Sequence, residues 1–221
     1  MRKIAVNTFV TLDGVMQAPG GPEEDPTGGF KLGGWSVNYW DEMMGKFITD
    51  EMAKPFDLLL GRKTYEIFAS HWPSAKNDPA ADKLNSARKY VVSKTLEKVE
   101  WENSTLVKGD IVKGIVGLKE QNGPEIQVHG SSNLVQTLLK NDLVNEFHVW
   151  TFPLVIGTGK RLFGEGTVPA GLELLDHKTS TTGVIIATYA MSGKPKTGSF
   201  QLQNPTREEL DRRKRLTEES E

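Results

Sequence analysis

Three short stretches of the chain combine residue types that can hold an anion. They are Leu60-Gly61-Arg62-Lys63-Thr64, Val92-Ser93-Lys94 and His129-Gly130-Ser131-Ser132-Asn133. In each, an apolar run that reads as a strand stops at a small or polar residue, and a helix is expected to begin there. The first turn of a helix offers unpaired backbone N–H groups and the positive end of a dipole, which suits a phosphate. Gly61 and Gly130 let the backbone come close, while Arg62, Lys63 and Lys94 supply positive charge. If the strands are parallel neighbours, their carboxyl ends line one crevice. Two such turns suit a pyrophosphate, and the turn at Ser93 and Lys94 suits a further phosphate on a ribose. Together they predict a site for a phosphorylated dinucleotide. Neither G-x-G-x-x-G nor G-x-x-x-x-G-K-[ST] occurs, so the site is neither a Rossmann fingerprint nor a P-loop.

Residues that could move a proton or hold a flat ring are fewer. Asp13, just before Gly14, is either an orienting or protonating acid or a turn-capping aspartate. Asp41 and Glu42 open a predicted helix and are candidate proton donors there, although helix-end charge compensation alone explains acids at that place. Phe30 and Trp35 lie in a loop rich in glycine and aromatic residues and are candidates to contact a flat substrate. His129 ends a strand beside the expected crevice. The four histidines are scattered without metal-ligand spacing, and no metal is expected. The absence of cysteine excludes disulfides, thiolate metal sites and Cys nucleophiles. Ser131 and Ser132 lack the surroundings of a serine hydrolase nucleophile.

The elements that must carry these residues follow from periodicity. Strands are expected over Lys3–Thr11, Phe56–Leu60, Lys89–Ser93, Ser104–Val107 and Glu125–His129, with helices between them. Asp78-Pro79 and Asp110 read as helix starts; Gly114 and Gly117 weaken the helix after Asp110. A long strand over Glu146–Ile156, bent or interrupted at Pro153, precedes a hairpin of Leu172–Lys178 and Val184–Met191. Strand–helix alternation implies right-handed crossovers and a parallel sheet, and the hairpin an antiparallel edge. Residues 14–40 form a long loop too aromatic for a disordered linker, read as a cover over the substrate. The boundaries expected are one domain over 1–193 and a charged tail or peripheral helix over 194–221, with Thr206-Arg207-Glu208-Glu209 in the form of a capping box. At 221 residues, 37% hydrophobic, with net charge −2 and pI near 6.1, the chain suits one large domain. Neither nucleic acid nor a membrane is an expected partner, and a cytoplasmic address follows by default.

The phrases Thr11-Leu12-Asp13-Gly14, Gly61-Arg62-Lys63-Thr64-Tyr65-Glu66, His129-Gly130-Ser131-Ser132-Asn133-Leu134 and Pro153-Leu154-Val155-Ile156-Gly157-Thr158-Gly159 resemble the dihydrofolate reductase-like superfamily. The nearest branch is the reductase domain of riboflavin biosynthesis (the RibD C-terminal domain) and its stand-alone bacterial relatives, over about residues 3–192. The resemblance implies an α/β fold: a mixed, mostly parallel eight-stranded sheet with flanking helices and a C-terminal antiparallel hairpin. It implies NADPH across the strand ends. Gly61 to Thr64 would meet a phosphate, Ser93 and Lys94 the adenosine side, and Gly130, Ser131, Ser132 and Asn133 the pyrophosphate. Asp13 would stand at the mouth of the nicotinamide pocket. The implied reaction is hydride transfer to a small heteroaromatic or carbonyl substrate, with a 5-amino-6-(5-phosphoribosylamino)uracil-type pyrimidine as one form. The position of the acid in folate reductases falls near Met43, with Asp41 and Glu42 just before it, which points away from folate. A homodimer is expected. The competing reading is a non-catalytic ligand-binding module on the same fold, dimerising through the Glu146–Ile156 strand.

Overall fold

The computed structural model describes residues 1–219. Eight strands form one sheet in the order β4-β3-β2-β5-β1-β6-β8-β7. They are β1 (Ile4–Thr11), β2 (Phe56–Gly61), β3 (Lys89–Val92), β4 (Ser104–Val107), β5 (Glu125–Val128), β6 (Glu146–Phe152), β7 (Leu172–Thr179) and β8 (Ile185–Met191). Every pairing from β4 through β6 is parallel, and β8 runs antiparallel to both β6 and β7. The central strands are short apolar runs buried on both faces, as parallel sheets require.

Helices cover both faces. They are α1 (Glu42–Met52), α2 (Arg62–His71), α3 (Pro79–Ser86), α4 (Ile111–Glu120) and α5 (Ser132–Lys140), while α6 (Arg207–Glu218) belongs to the tail. On one face Ile115 and Leu118 of α4 and Leu134, Val135, Leu138 and Leu139 of α5 pack on Ile4, Val6, Ile126, Val128, Phe147 and Val149. On the other, α1 joins a cluster around Trp150 and Phe152, while α2 and α3 join one around Leu58 and Leu60. The glycines of α4 do not break it. A Cβ on Gly114 would lie 2.9 Å from Val107, so this glycine lets the helix approach β4.

Three expectations are corrected. The long strand ends at Phe152: of the two readings at Pro153 the interruption holds, and the segment to Ile156 is irregular. β6 is paired on both sides, with β1 and β8, so it has no free edge through which to dimerise. No helix follows Ser93: the chain passes from β3 through a loop to β4. The long loop is packed. Val15, Ala18, Phe30 and Trp35 are buried in the Trp150 cluster. Lys160 fastens it to the other side of the sheet end by an ion pair with Asp25 and a bond to the Thr27 hydroxyl at 2.8 Å. In the tail, α6 contributes no buried residue, and Phe200 and Leu202 are exposed. No helix among the described residues is long and apolar enough to cross a membrane.

Candidate active site at one edge of the sheet

β3, β2 and β5 are consecutive in the sheet, so the three predicted turns leave it side by side. Gly61 is in register with Val92, which places Ser93 one residue beyond it. On the other flank the Gly61 amide donates to the Gly130 carbonyl at 3.0 Å. The contact is too tight for side chains. A Cβ on Gly61 would fall 2.5 Å from the Ser131 hydroxyl, and one on Gly130, whose φ is 142°, would fall 2.6 Å from that of Thr64. Glycine at both positions is therefore a packing requirement, and it draws the first turns of α2 and α5 together.

Those two helices share a second property. Asp41, Asp78, Asp110 and Thr206 each cap their helix by accepting a backbone N–H. The capping residues of α2 and α5, Gly61 and Ser131, make no such side-chain bond. Thr64, Ser131 and Ser132 are partly exposed, and Lys63 and Asn133 fully so, so this edge faces solvent.

The third turn is built differently. The Ser93 hydroxyl is buried and accepts from the amides of Thr95 and Leu96 at 3.1 and 2.9 Å. Its oxygen holds its own turn. Lys94 is exposed. Arg62 reaches across from α2 to the Thr95 hydroxyl at 2.8 Å and joins the first and third turns. Sequence reasoning missed Thr95, although a hydroxyl three residues past a strand end is a usual turn former. Within the matched phrase at Gly61, Tyr65 is structural: its phenol oxygen accepts from the amides of Glu100 and Trp101 at 2.9 and 3.1 Å.

The candidate acids do not gather at one point. Asp13 accepts from the Thr11 hydroxyl at 2.5 Å and from the amides of Ile156 and Gly157 at 3.1 and 2.8 Å. These bonds, the Thr11 one first, hold its carboxyl down at about 2. It is an ionised clasp between the end of β1 and the glycine-rich turn, and it carries no proton at neutral pH. Asp41 accepts from the amide of Met44 and from the amide and hydroxyl of Thr181, and these bonds lower its pKa. It caps α1 and ties that helix to the hairpin. Glu42 is exposed. Glu24, in the loop, is the opposite case: burial pushes its carboxyl up despite bonds from the amides of Gly20 and Gly21. His129 follows β5 beside Phe68 of α2, and burial lowers its imidazole to about 4.

The stacking candidates point inward. The Trp35 indole donates to the Gln17 carbonyl at 2.8 Å and meets Phe152 edge-on at 5.3 Å. Phe30 is 7% and Trp35 8% exposed, so both anchor the loop and offer no free face to a ring. Trp40 is 39% exposed, with its ring 5.9 Å from Phe9 and 5.8 Å from Trp150.

Known proteins share this architecture. The chain is 27% identical over 197 residues to the uncharacterised protein YyaP of Bacillus subtilis (strain 168), covering 87% of this chain and 96% of that one. Its fold matches that of a protein from Shewanella sp. PV-4 provisionally assigned to riboflavin biosynthesis, with TM-score 0.61, 23% identity, and coverage of 86% of this chain and 99% of that one. It also matches a dihydrofolate reductase from Enterococcus faecalis complexed with NADP(H), with TM-score 0.53, 14% identity and coverage of 86% and 96%. The fold is thus dihydrofolate reductase-like. With the RibD C-terminal domain model matching residues 2–186, this chain belongs to the RibD C-terminal domain family.

Proposed function

We propose that this protein is an NADPH-dependent reductase that passes a hydride to a small heteroaromatic or carbonyl substrate, a 5-amino-6-(5-phosphoribosylamino)uracil-type pyrimidine being one form. One observation carries the reading. Of the six α-helices among the described residues, the two without a side-chain cap are α2 and α5, and they open beside each other on one solvent-facing edge. Helix N-termini left so are anion sites, and two together suit a diphosphate. The residues present fit the cofactor. Thr64 and the amides of residues 62–64 and 131–133 would take the pyrophosphate, with Ser131, Ser132 and Asn133 at its rim. Arg62, Lys63 and Lys94 would meet the phosphate on the ribose. Bound there, NADPH supplies a hydride for a C=N or C=O carbon, while the neighbouring nitrogen or oxygen takes up a proton. The protein's part is to bind, orient and exclude water. We further read the protein as a homodimer. All eight residues of the edge strand β7 are exposed, among them Leu172, Leu174 and Leu175.

A titration with NADPH followed by tryptophan fluorescence tests the cofactor. Saturable binding in the micromolar range is expected, and no binding at millimolar NADPH overturns the reading. A second reading, a non-catalytic nucleotide-binding module, is favoured by the ionised, fully engaged state of Asp13 and Asp41. Turnover separates the two: loss of nicotinamide absorbance with pyrimidine or pterin substrates supports the reductase, and binding without turnover supports the module.

A further inference from the structure

The sheet carries one cluster that the reductase reading does not use. β1 lies between β5 and β6, and its Ala5 is flanked by Gln127 on one side and Glu146 on the other. A methyl group at that position leaves room above it for longer side chains from both flanks. Glu125, Glu146 and His148 fill that room, each offering one ligand-capable atom within 4.8 Å of the others, and all three are half-buried.

The orientation of the imidazole is a second observation. The Asn7 amide nitrogen turns toward the Ala5 carbonyl at 3.5 Å, which leaves its oxygen 2.9 Å from His148 Nδ1. An amide oxygen only accepts, so Nδ1 carries a hydrogen and Nε2 is the ring nitrogen turned toward Glu146. Nε2 stands 3.6 Å from Glu146 Oε2, and a proton or a metal ion between them satisfies both atoms. The Lys3 ammonium lies 2.5 Å from the other Glu146 oxygen. Its side chain is 62% exposed, however, and can swing away into water. Gln127 donates to Glu125 at 3.2 Å and steadies the second carboxylate.

The geometry points to a divalent transition-metal site formed by Glu125, Glu146 and His148. Asn7 orients the histidine, and Lys3 is the ammonium that the metal displaces. Two carboxylates and an imidazole suit Zn²⁺ or Mn²⁺, and an imidazole hydrogen-bonded through its other nitrogen is the usual second layer of such sites. The ion would join β5 and β6 across β1. This site stands independently of the reductase reading.

Calorimetric titration of the purified full chain with Zn²⁺ in chelator-free buffer tests it. One saturable site is expected. Glu146→Gln, which keeps the shape, and His148→Ala should each weaken it at least ~10-fold, and Asn7→Ala about 10-fold. Lys3→Met should tighten it several-fold, because no ammonium then competes; a surface ion pair without a metal role predicts no gain. Absence of binding at millimolar Zn²⁺, or affinity unchanged by both Glu146→Gln and Lys3→Met, overturns the proposal. Far-ultraviolet circular dichroism of each variant confirms that folded protein is being titrated.

Discussion

The two ends of the parallel strands are built on opposite rules. At the amino ends three basic side chains are sealed. Arg2 is buried against Asp57 at 2.5 Å and donates to the Pro124 carbonyl at 2.6 Å. Lys89, fully buried, donates to the carbonyls of Asn85, Ala87 and Glu102 and stacks its ammonium over Trp101 at 4.2 Å. Lys119 donates to the Leu143 carbonyl and to Asn145. At the carboxyl ends glycines replace side chains, two helices start uncapped, and Lys63 and Lys94 face water. Buried charges must be paired, because an orphaned one costs several kcal/mol. Open N–H groups persist only where water or a ligand reaches them. The difference teaches that one edge holds the fold and the other is left for binding.

Substitutions can break this contrast. The largest effect is expected at the sealed edge. Asp57→Ala strands the Arg2 guanidinium and should cost about 3–5 kcal/mol of stability, read by chemical denaturation. The folded fraction should keep its NADPH affinity; a loss of affinity there would erase the distinction between edges. Gly130→Ala should do the reverse. Its φ of 142° and the 2.6 Å approach to Thr64 force the turn to shift. Nucleotide binding should fall at least ~10-fold for about 1–3 kcal/mol of stability.

A smaller effect sharpens the comparison through pH. Asp13 belongs to the open edge yet is engaged like a residue of the sealed one. Its pKa is held at about 2 against an ordinary 3.8, so the folded state favours the ionised form. The stabilisation is therefore complete above about 4 and is lost as pH falls through 2. Asp13→Asn should lose this part of the acid dependence, seen as a smaller difference in stability between pH 5 and pH 2 than in the unaltered protein. The smallest effect is expected from Lys94→Ala, a several-fold loss of NADPH affinity that shrinks as salt rises.

Most of the secondary structure was legible because it is written locally. Asp78, Asp110 and Thr206 announce their helices by capping chemistry, and the apolar stripes of α1 and α5 repeat at helical spacing. The turns at Gly61 and Gly130 were legible for the same reason. The turn at Ser93 was misread as a helix start because its hydroxyl closes the bend itself, a bond invisible in residue types. Phe30 and Trp35 were misread because an aromatic residue in a glycine-rich loop looks alike whether it covers a ligand or plugs a core.

The sequence by itself determined the elements, their caps and the glycines at two strand ends, since all of these depend on neighbours within a few residues. The tertiary structure alone decided that α2 and α5 open side by side. It also decided that Asp13 and Asp41 are tied down, and that Glu125, Glu146 and His148 meet across Ala5. The reason is strand order. Pairing β2 with β5 sets Gly61 beside Gly130, and placing β1 between β5 and β6 sets its residues beside others more than a hundred positions away; no local spacing encodes either choice.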